Sequence, residues 1–209
     1  MSDHYEWDLF ERPRPDSGKG IWLLRHGINV LDPDKKKYGE WQPQSPLSAE
    51  GRKAIERVRE VHMKGRQFAL LRHSPYVRCE ETAKIAVPDG KWEVMEGLAP
   101  RLPQVWDTVV LSQTPPISTS AELENKYPGL LQVEGEWMVK AIYEVLDRLP
   151  SGQEALLVGH QPLIGMARDL LKHKREGFDQ SLPKGGIYRL GFSEHSNSYL
   201  NGDCLLPPE

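Results

Sequence analysis

Three short apolar runs constrain this chain more than any other feature: Ile21, Trp22, Leu23, Leu24; then Phe68, Ala69, Leu70, Leu71; then Ala155, Leu156, Leu157, Val158. Each is too brief for a helix and lacks the polar alternation of a half-exposed strand, so each reads as a strand buried on both faces. Segments of helical period lie between them. Ser48 is positioned as an N-cap, and Ala54, Ile55, Val58 and Val61 recur at helical spacing to about residue 64. A second helix is expected from Tyr76 to about residue 87, a third from Glu134 to Leu149, ended by Pro150 and Gly152, and a fourth opening at Pro162 as its first residue. A strand is expected over residues 92–95, and another at Ile187 to Leu190 after the Gly185-Gly186 turn. Strands alternating with helices imply right-handed crossovers and a mostly parallel sheet covered by helices on both faces.

The remaining stretches lack such patterning. Residues 28–46 carry three prolines and the run Lys35, Lys36, Lys37, which marks a long loop, and the proline-rich region around 96–133 reads as a lid or insertion. Residues 1–20 read as a poorly ordered extension, and 21–209 as a single domain, a size that 209 residues allow. With 30 acidic and 27 basic side chains evenly mixed, no nucleic acid or membrane partner is expected. Cys79 and Cys204 stand far apart, which argues against a disulfide framework or a zinc site. No signal-like apolar segment opens the chain, and a cytoplasmic location is expected.

The chemistry-bearing residues fall where the strands end. Arg25 and His26 follow the first run, Arg72, His73 and Ser74 the second with Arg78 just beyond, and His160 the third. In a parallel α/β sheet the carboxyl ends of the strands share one edge, where ligands bind, so these groups should converge. Two arginines and two histidines there suit a dianion, because guanidinium forks match phosphate oxygens and keep their charge. The helix opening at Pro162 would turn its positive end towards the same place. A neutral imidazole beside such cations can attack phosphorus.

Leu24-Arg25-His26-Gly27, then Ser74-Pro75-Tyr76-Val77-Arg78-Cys79-Glu80-Glu81-Thr82-Ala83, then Val158-Gly159-His160 resemble the motifs of the histidine phosphatase superfamily, which includes phosphoglycerate mutases and small phosphohistidine phosphatases. Pro46-Leu47-Ser48-Ala49-Glu50-Gly51 is similar to that family's first helix start, and the glycines before Ile187 to its late turn and strand. The resemblance spans about residues 21 to 192. It implies a three-layer α/β/α sandwich of the phosphoglycerate mutase type. It implies His26 as the nucleophile, transiently phosphorylated, Arg25 and Arg78 as ligands of the phosphoryl oxygens, and His160 as a hydrogen-bonding partner of the group in flight. No cofactor or metal is implied, and the partner is a small phosphorylated substrate or a phosphohistidine protein.

Two departures narrow the expectation. Where many members carry the glutamate that protonates the leaving group, this chain has Leu98-Ala99-Pro100. Glu96 and Asp107 are the nearest carboxylates, and Glu96, just after the third strand, is favoured as a substitute acid. In the first loop Asn29 could donate to a phosphate oxygen, but Asp32 would repel it, so the mutase pattern is incomplete. A phosphatase is therefore expected, with a non-catalytic phospho-ligand binding module as the alternative and a mutase-type phosphotransferase behind it. Arg72, His73 and Cys79 are read as structural, Lys35 to Lys37 as a solvated run, and Trp92, Trp106 and Trp137 as packing residues.

Overall fold

The computed structural model describes residues 18–30, 43–103, 125–172 and 182–207. The N-terminal extension up to residue 17, Asp32, Lys35 to Lys37, Trp106, Asp107 and most of the expected lid lie outside the described residues.

The apolar runs sit in a six-stranded sheet of order β3-β2-β4-β1-β5-β6. Its strands are β1 Lys19–Arg25, β2 Leu70–His73, β3 Trp92–Val94, β4 Glu154–Gly159, β5 Ile187–Phe192 and β6 Tyr199–Leu205. β3, β2, β4 and β1 are mutually parallel, whereas β5 runs antiparallel to β1 and β6 antiparallel to β5. β1 and β4 are central, which is why their sequences are apolar without interruption. Successive side chains alternate between faces. Ile21, Leu23, Ala155 and Leu157 enter one core with Met138, Ile142, Leu146, Leu163 and Ile164. Trp22, Leu24, Leu156 and Val158 enter the other with Ile55, Val58, Cys79 and Ala83. The first core is roofed by α3 Leu130–Arg148 and α4 Leu163–Leu171, the second by α1 Ala49–Val58 and α2 Val77–Ala86. This is the expected α/β fold, a mostly parallel sheet between two helical layers.

Several boundaries depart from the sequence pattern for physical reasons. β2 begins two residues later than the apolar run, because Phe68 leaves the sheet to meet Trp22 edge-on, ring centres 5.8 Å apart. The first helix passes at Arg59–Met63 into a π-helical turn. Five-residue spacing there rotates His62 and Met63 inward and leaves Val61 exposed, contrary to the expected apolar face. α3 starts four residues before Glu134, at Leu130, with Gly129 as its N-cap in the left-handed conformation (φ 82°). Pro162 is the N-cap of α4 rather than its first residue. The sequence does not announce β6, since Asn201 and Asp203 face outward along an edge strand and Gly202 between them offers no apolar side chain to complete an alternation.

Register places the site. Arg25 pairs with Gly159, Leu24 with Val158, and His73 also with Val158. The next residues, His26, His160 and Ser74, therefore leave the sheet side by side. Because β5 is antiparallel, Leu24 also pairs with Ile187, so the turn preceding β5 lies on that same edge.

Candidate active site

Three backbone devices fix the turn after β1. The His26 N–H donates to the Gly159 carbonyl at 3.1 Å. The Gly27 N–H donates to Thr82 Oγ1 at 3.1 Å, and that hydroxyl donates to the Arg78 carbonyl at 2.7 Å, tying the turn to α2. A Cβ on Gly27 would come within 2.9 Å of Ile55 and 3.1 Å of the Gly51 carbonyl, so only glycine fits. The start of α1 is pressed as closely against the following residues. Ser48 caps it, accepting from the Gly51 N–H at 2.9 Å, while the Ser48 N–H donates to the Ile28 carbonyl at 2.8 Å.

His26 and His160 are buried, with ring centres 5.2 Å apart, and the Arg78 guanidinium bridges them. A carbonyl can only accept, so His26 Nδ1, 2.8 Å from the Gly27 carbonyl, carries the proton. Its Nε2 then holds the lone pair, which accepts from Arg78 Nε at 3.3 Å. Arg78 Nη2 lies 3.3 Å from His160 Nδ1, which must likewise accept. The His160 proton is thus on Nε2, donated to Ser74 Oγ at 2.8 Å. Tyr76 supports the group from α2's N-cap: its ring packs edge-on to His160 at 4.7 Å, and Arg78 lies over it at 4.7 Å. Arg25 donates from Nη1 to the Leu182 carbonyl at 2.6 Å.

Burial holds His26 well below the ordinary histidine pKa and the charge of Arg78 adds to it, while the Gly27 carbonyl pulls back upward and the charges of Arg25 and Lys184 add smaller downward pushes. Burial likewise lowers His160, followed by Arg78, His26 and Arg25. Both rings are therefore neutral near pH 7. The result is a buried cationic cluster in which a neutral His26 holds its Nε2 lone pair against the Arg78 guanidinium, an arrangement suited to attack on a phosphoryl group whose equatorial oxygens meet guanidinium donors.

The other candidates divide. Asn29 is buried near this group, with its amide donating to Ser45 Oγ at 3.0 Å and its oxygen accepting from Lys184 Nζ at 3.2 Å. Glu96 begins a 3-10 turn on the same sheet edge but is exposed, and no hydrogen bond or ion pair among the described residues joins it to His26, Arg78 or His160. The nearby buried residues are Leu98, Ala99 and Pro100, with the Leu98 carbonyl 3.4 Å from the place of a Cβ on Gly159. Arg72 pairs with Glu93 at 2.9 Å, and His73 Nδ1 donates to the Ser74 carbonyl at 2.8 Å with its ring against Trp92. Trp137 packs under Arg101 at 5.4 Å. Cys79 is buried against the Gly159 carbonyl, its thiol pushed up to about 12. Among the described residues no group of three or more His, Cys, Asp or Glu is arranged to hold a metal ion, and no described helix is long and apolar enough to cross a membrane.

Sequence reasoning missed Lys184 and underused Ser74. An antiparallel reading of residues 187–190 beside the first strand puts the Pro183-Lys184-Gly185-Gly186 turn at the edge that carries His26 and His160.

The description "histidine phosphatase superfamily (branch 1)" matches residues 21–201. The chain belongs to the histidine phosphatase superfamily. No curated protein matches its sequence. Its superfamily fold is similar to a phosphoserine phosphatase from Entamoeba histolytica solved with 3-phosphoglyceric acid (TM-score 0.66, 14% identity, covering 88% of this chain and 96% of that one). It is also similar to a putative alpha-ribazole-5'-P phosphatase from Escherichia coli (0.64, 15%, 90% and 96%). A putative phosphohistidine phosphatase, SixA, from Agrobacterium tumefaciens follows at 0.57, 15%, 90% and 98%. At these identities the likeness is one of fold.

Proposed function

We propose that this superfamily member is a phosphatase that hydrolyses a phosphomonoester or phosphohistidine through a phosphohistidine intermediate on His26. The observation that carries this is the locked tautomer: Nδ1–H is held by the Gly27 carbonyl, so Nε2 presents its lone pair beside Arg78 in a buried recess. Nε2 attacks phosphorus as the bond to the leaving oxygen or nitrogen breaks, and the leaving group keeps that electron pair and takes up a proton. Arg78 and Arg25 balance the charge on the equatorial oxygens, and His160, fixed by Ser74, contacts the group in flight. Water then attacks phosphorus, the P–N bond returns its electrons to Nε2, and phosphate departs. Glu96 is not carried into this scheme, because its exposed carboxylate is not tied to the recess. Two free thiols support a reducing, cytoplasmic setting.

The experiment is turnover of para-nitrophenyl phosphate and of a phosphohistidine peptide by the wild type and His26→Ala, with acid-labile phosphoenzyme sought in a quenched reaction. Turnover and phosphoenzyme in the wild type and neither in His26→Ala are expected. Negligible phosphate release from both proteins, with phosphate still bound, would replace the enzyme with a binding module.

A further inference from the structure

Two ring nitrogens, not one, hold their lone pairs against the same guanidinium. Arg78 donates from Nε to His26 Nε2 at 3.3 Å and from Nη2 to His160 Nδ1 at 3.3 Å. The first lone pair is used in the attack on phosphorus, and the second has no part in that step. What keeps the second one open is the group at the other nitrogen of the His160 ring. Nε2 lies 2.8 Å from Ser74 Oγ and 3.5 Å from Cys79 Sγ. The protons there follow one order. The Cys79 thiol donates to the Gly159 carbonyl at 3.8 Å, and the Ser74 hydroxyl donates to the Cys79 sulfur. Ser74 Oγ is left to accept from His160 Nε2 and, more weakly, from the Tyr76 N–H at 3.5 Å. Ser74, Cys79 and His160 are all fully buried, so solvent offers the ring no substitute for the hydroxyl. The ring is faced by Arg78 and Cys79 from α2, by Tyr76 from that helix's N-cap, by Ser74 from the end of β2 and by His26 from the end of β1, with the charge of Arg25 beyond.

A phosphoryl group in contact with these residues brings oxygen lone pairs. Arg25 and Arg78 can donate to them. His160 Nδ1 cannot, because its ring proton is committed to Ser74 on the far nitrogen, and lone pair would meet lone pair unless a proton lay between them. We infer that Ser74 is a positioning residue that holds the acceptor side of His160 towards the substrate, so that the site takes a phosphoryl group carrying one proton, shared between an equatorial oxygen and His160 Nδ1. This rests on the phosphatase reading and deepens it: the substrate is bound as the monoanion of a phosphoric ester or phosphoramidate. Where the free substrate is a dianion, the proton is drawn from solvent on binding. His26 Nε2 stays unprotonated throughout and keeps its lone pair for phosphorus.

The test is binding of inorganic phosphate, followed by calorimetry in buffers of low and high ionisation enthalpy at about pH 8.5, where a free phosphate group is a dianion. The wild type should take up about one proton per phosphate bound, and Ser74→Ala, whose ring is free to present an N–H instead, should take up close to none. In the free wild type, the ring-nitrogen NMR shifts of His160, identified as the signals missing in His160→Gln, should show a proton on Nε2 and none on Nδ1. A wild type that takes up no proton, or carries its ring proton on Nδ1, overturns the inference, whatever the folding of the variant. So does an uptake unchanged in Ser74→Ala. No uptake, together with turnover of para-nitrophenyl phosphate that His26→Ala abolishes, removes the proton-bearing substrate and leaves the phosphatase standing. Uptake of the proton with turnover that survives His26→Ala leaves the His160 assignment and removes the phosphohistidine mechanism. Neither phosphate binding nor turnover overturns both.

Discussion

Acidification should destabilise this protein through its two site histidines, by several kcal/mol between neutral pH and about pH 5. His26 and His160 are buried and held neutral, with pKa values well below the unfolded reference of 6.5. Below that pH the unfolded chain binds a proton at each while the folded chain does not, so stability rises with pH and is lost as pH falls from 6.5. While its ring stays neutral in the fold, each group costs about 1.4 kcal/mol per pH unit, up to roughly 2 kcal/mol by about pH 5 and up to about 4 kcal/mol for the pair. His62, half-buried and also lowered, adds a smaller loss of the same sign. The carboxylates with lowered pKa, Glu60 and Glu80, titrate below 4.5 and leave this window to the histidines. Urea unfolding between about pH 8 and pH 5 should show the full drop in the wild type, and a drop smaller by about 2 kcal/mol in His26→Gln and in His160→Gln. Added inorganic phosphate should reduce the drop, because an anion in the recess favours the protonated rings. Equal pH dependence in the wild type and both variants would refute the assignment of buried neutral imidazoles.

Gly51→Ala should cost about 3 kcal/mol in chemical denaturation, because its Cβ would fall 2.0 Å from the backbone oxygen of Ile28, which a flexible side chain cannot relieve. A change within a few tenths of a kcal/mol would show that α1 can shift away from the loop after β1. Of the two cysteines, exposed Cys204 should react with a thiol reagent in the native protein, and Cys79 only on unfolding, since its thiol is buried and raised to about 12. Two reactive thiols under native conditions would contradict the packing around His160.

What was legible in the sequence followed from burial. The central strands were readable because both faces of Trp22, Leu23, Leu156 and Leu157 are covered, leaving no polar position to confuse the pattern. The convergence of Arg25, His26, Arg78 and His160 followed from the same parallel register. Phe68 was misplaced because composition does not tell a strand residue from one that turns aside to pack on Trp22. β6 was illegible because an edge strand with exposed Asn201 and Asp203 has no apolar face to announce it. Lys184 was missed because its place depends on the direction of β5, which strand length and composition leave undetermined. Proximity along the chain favours Glu96, which the structure leaves exposed at the start of the 3-10 turn.

The polar character that hid β6 has a consequence at the level of the whole molecule. A sheet rim seven residues long is a template onto which a strand of another chain can hydrogen-bond. Here the pairing with β5 slips at Gly191 and Phe192, leaving Leu200 bulged outward, and the rim then presents Asn201 and Asp203. At the opposite rim β3 offers three residues and the outward side chain of Glu93. Recruitment of a foreign strand is disfavoured on both sides, so crowding of nascent copies is less apt to zip them together through their sheets.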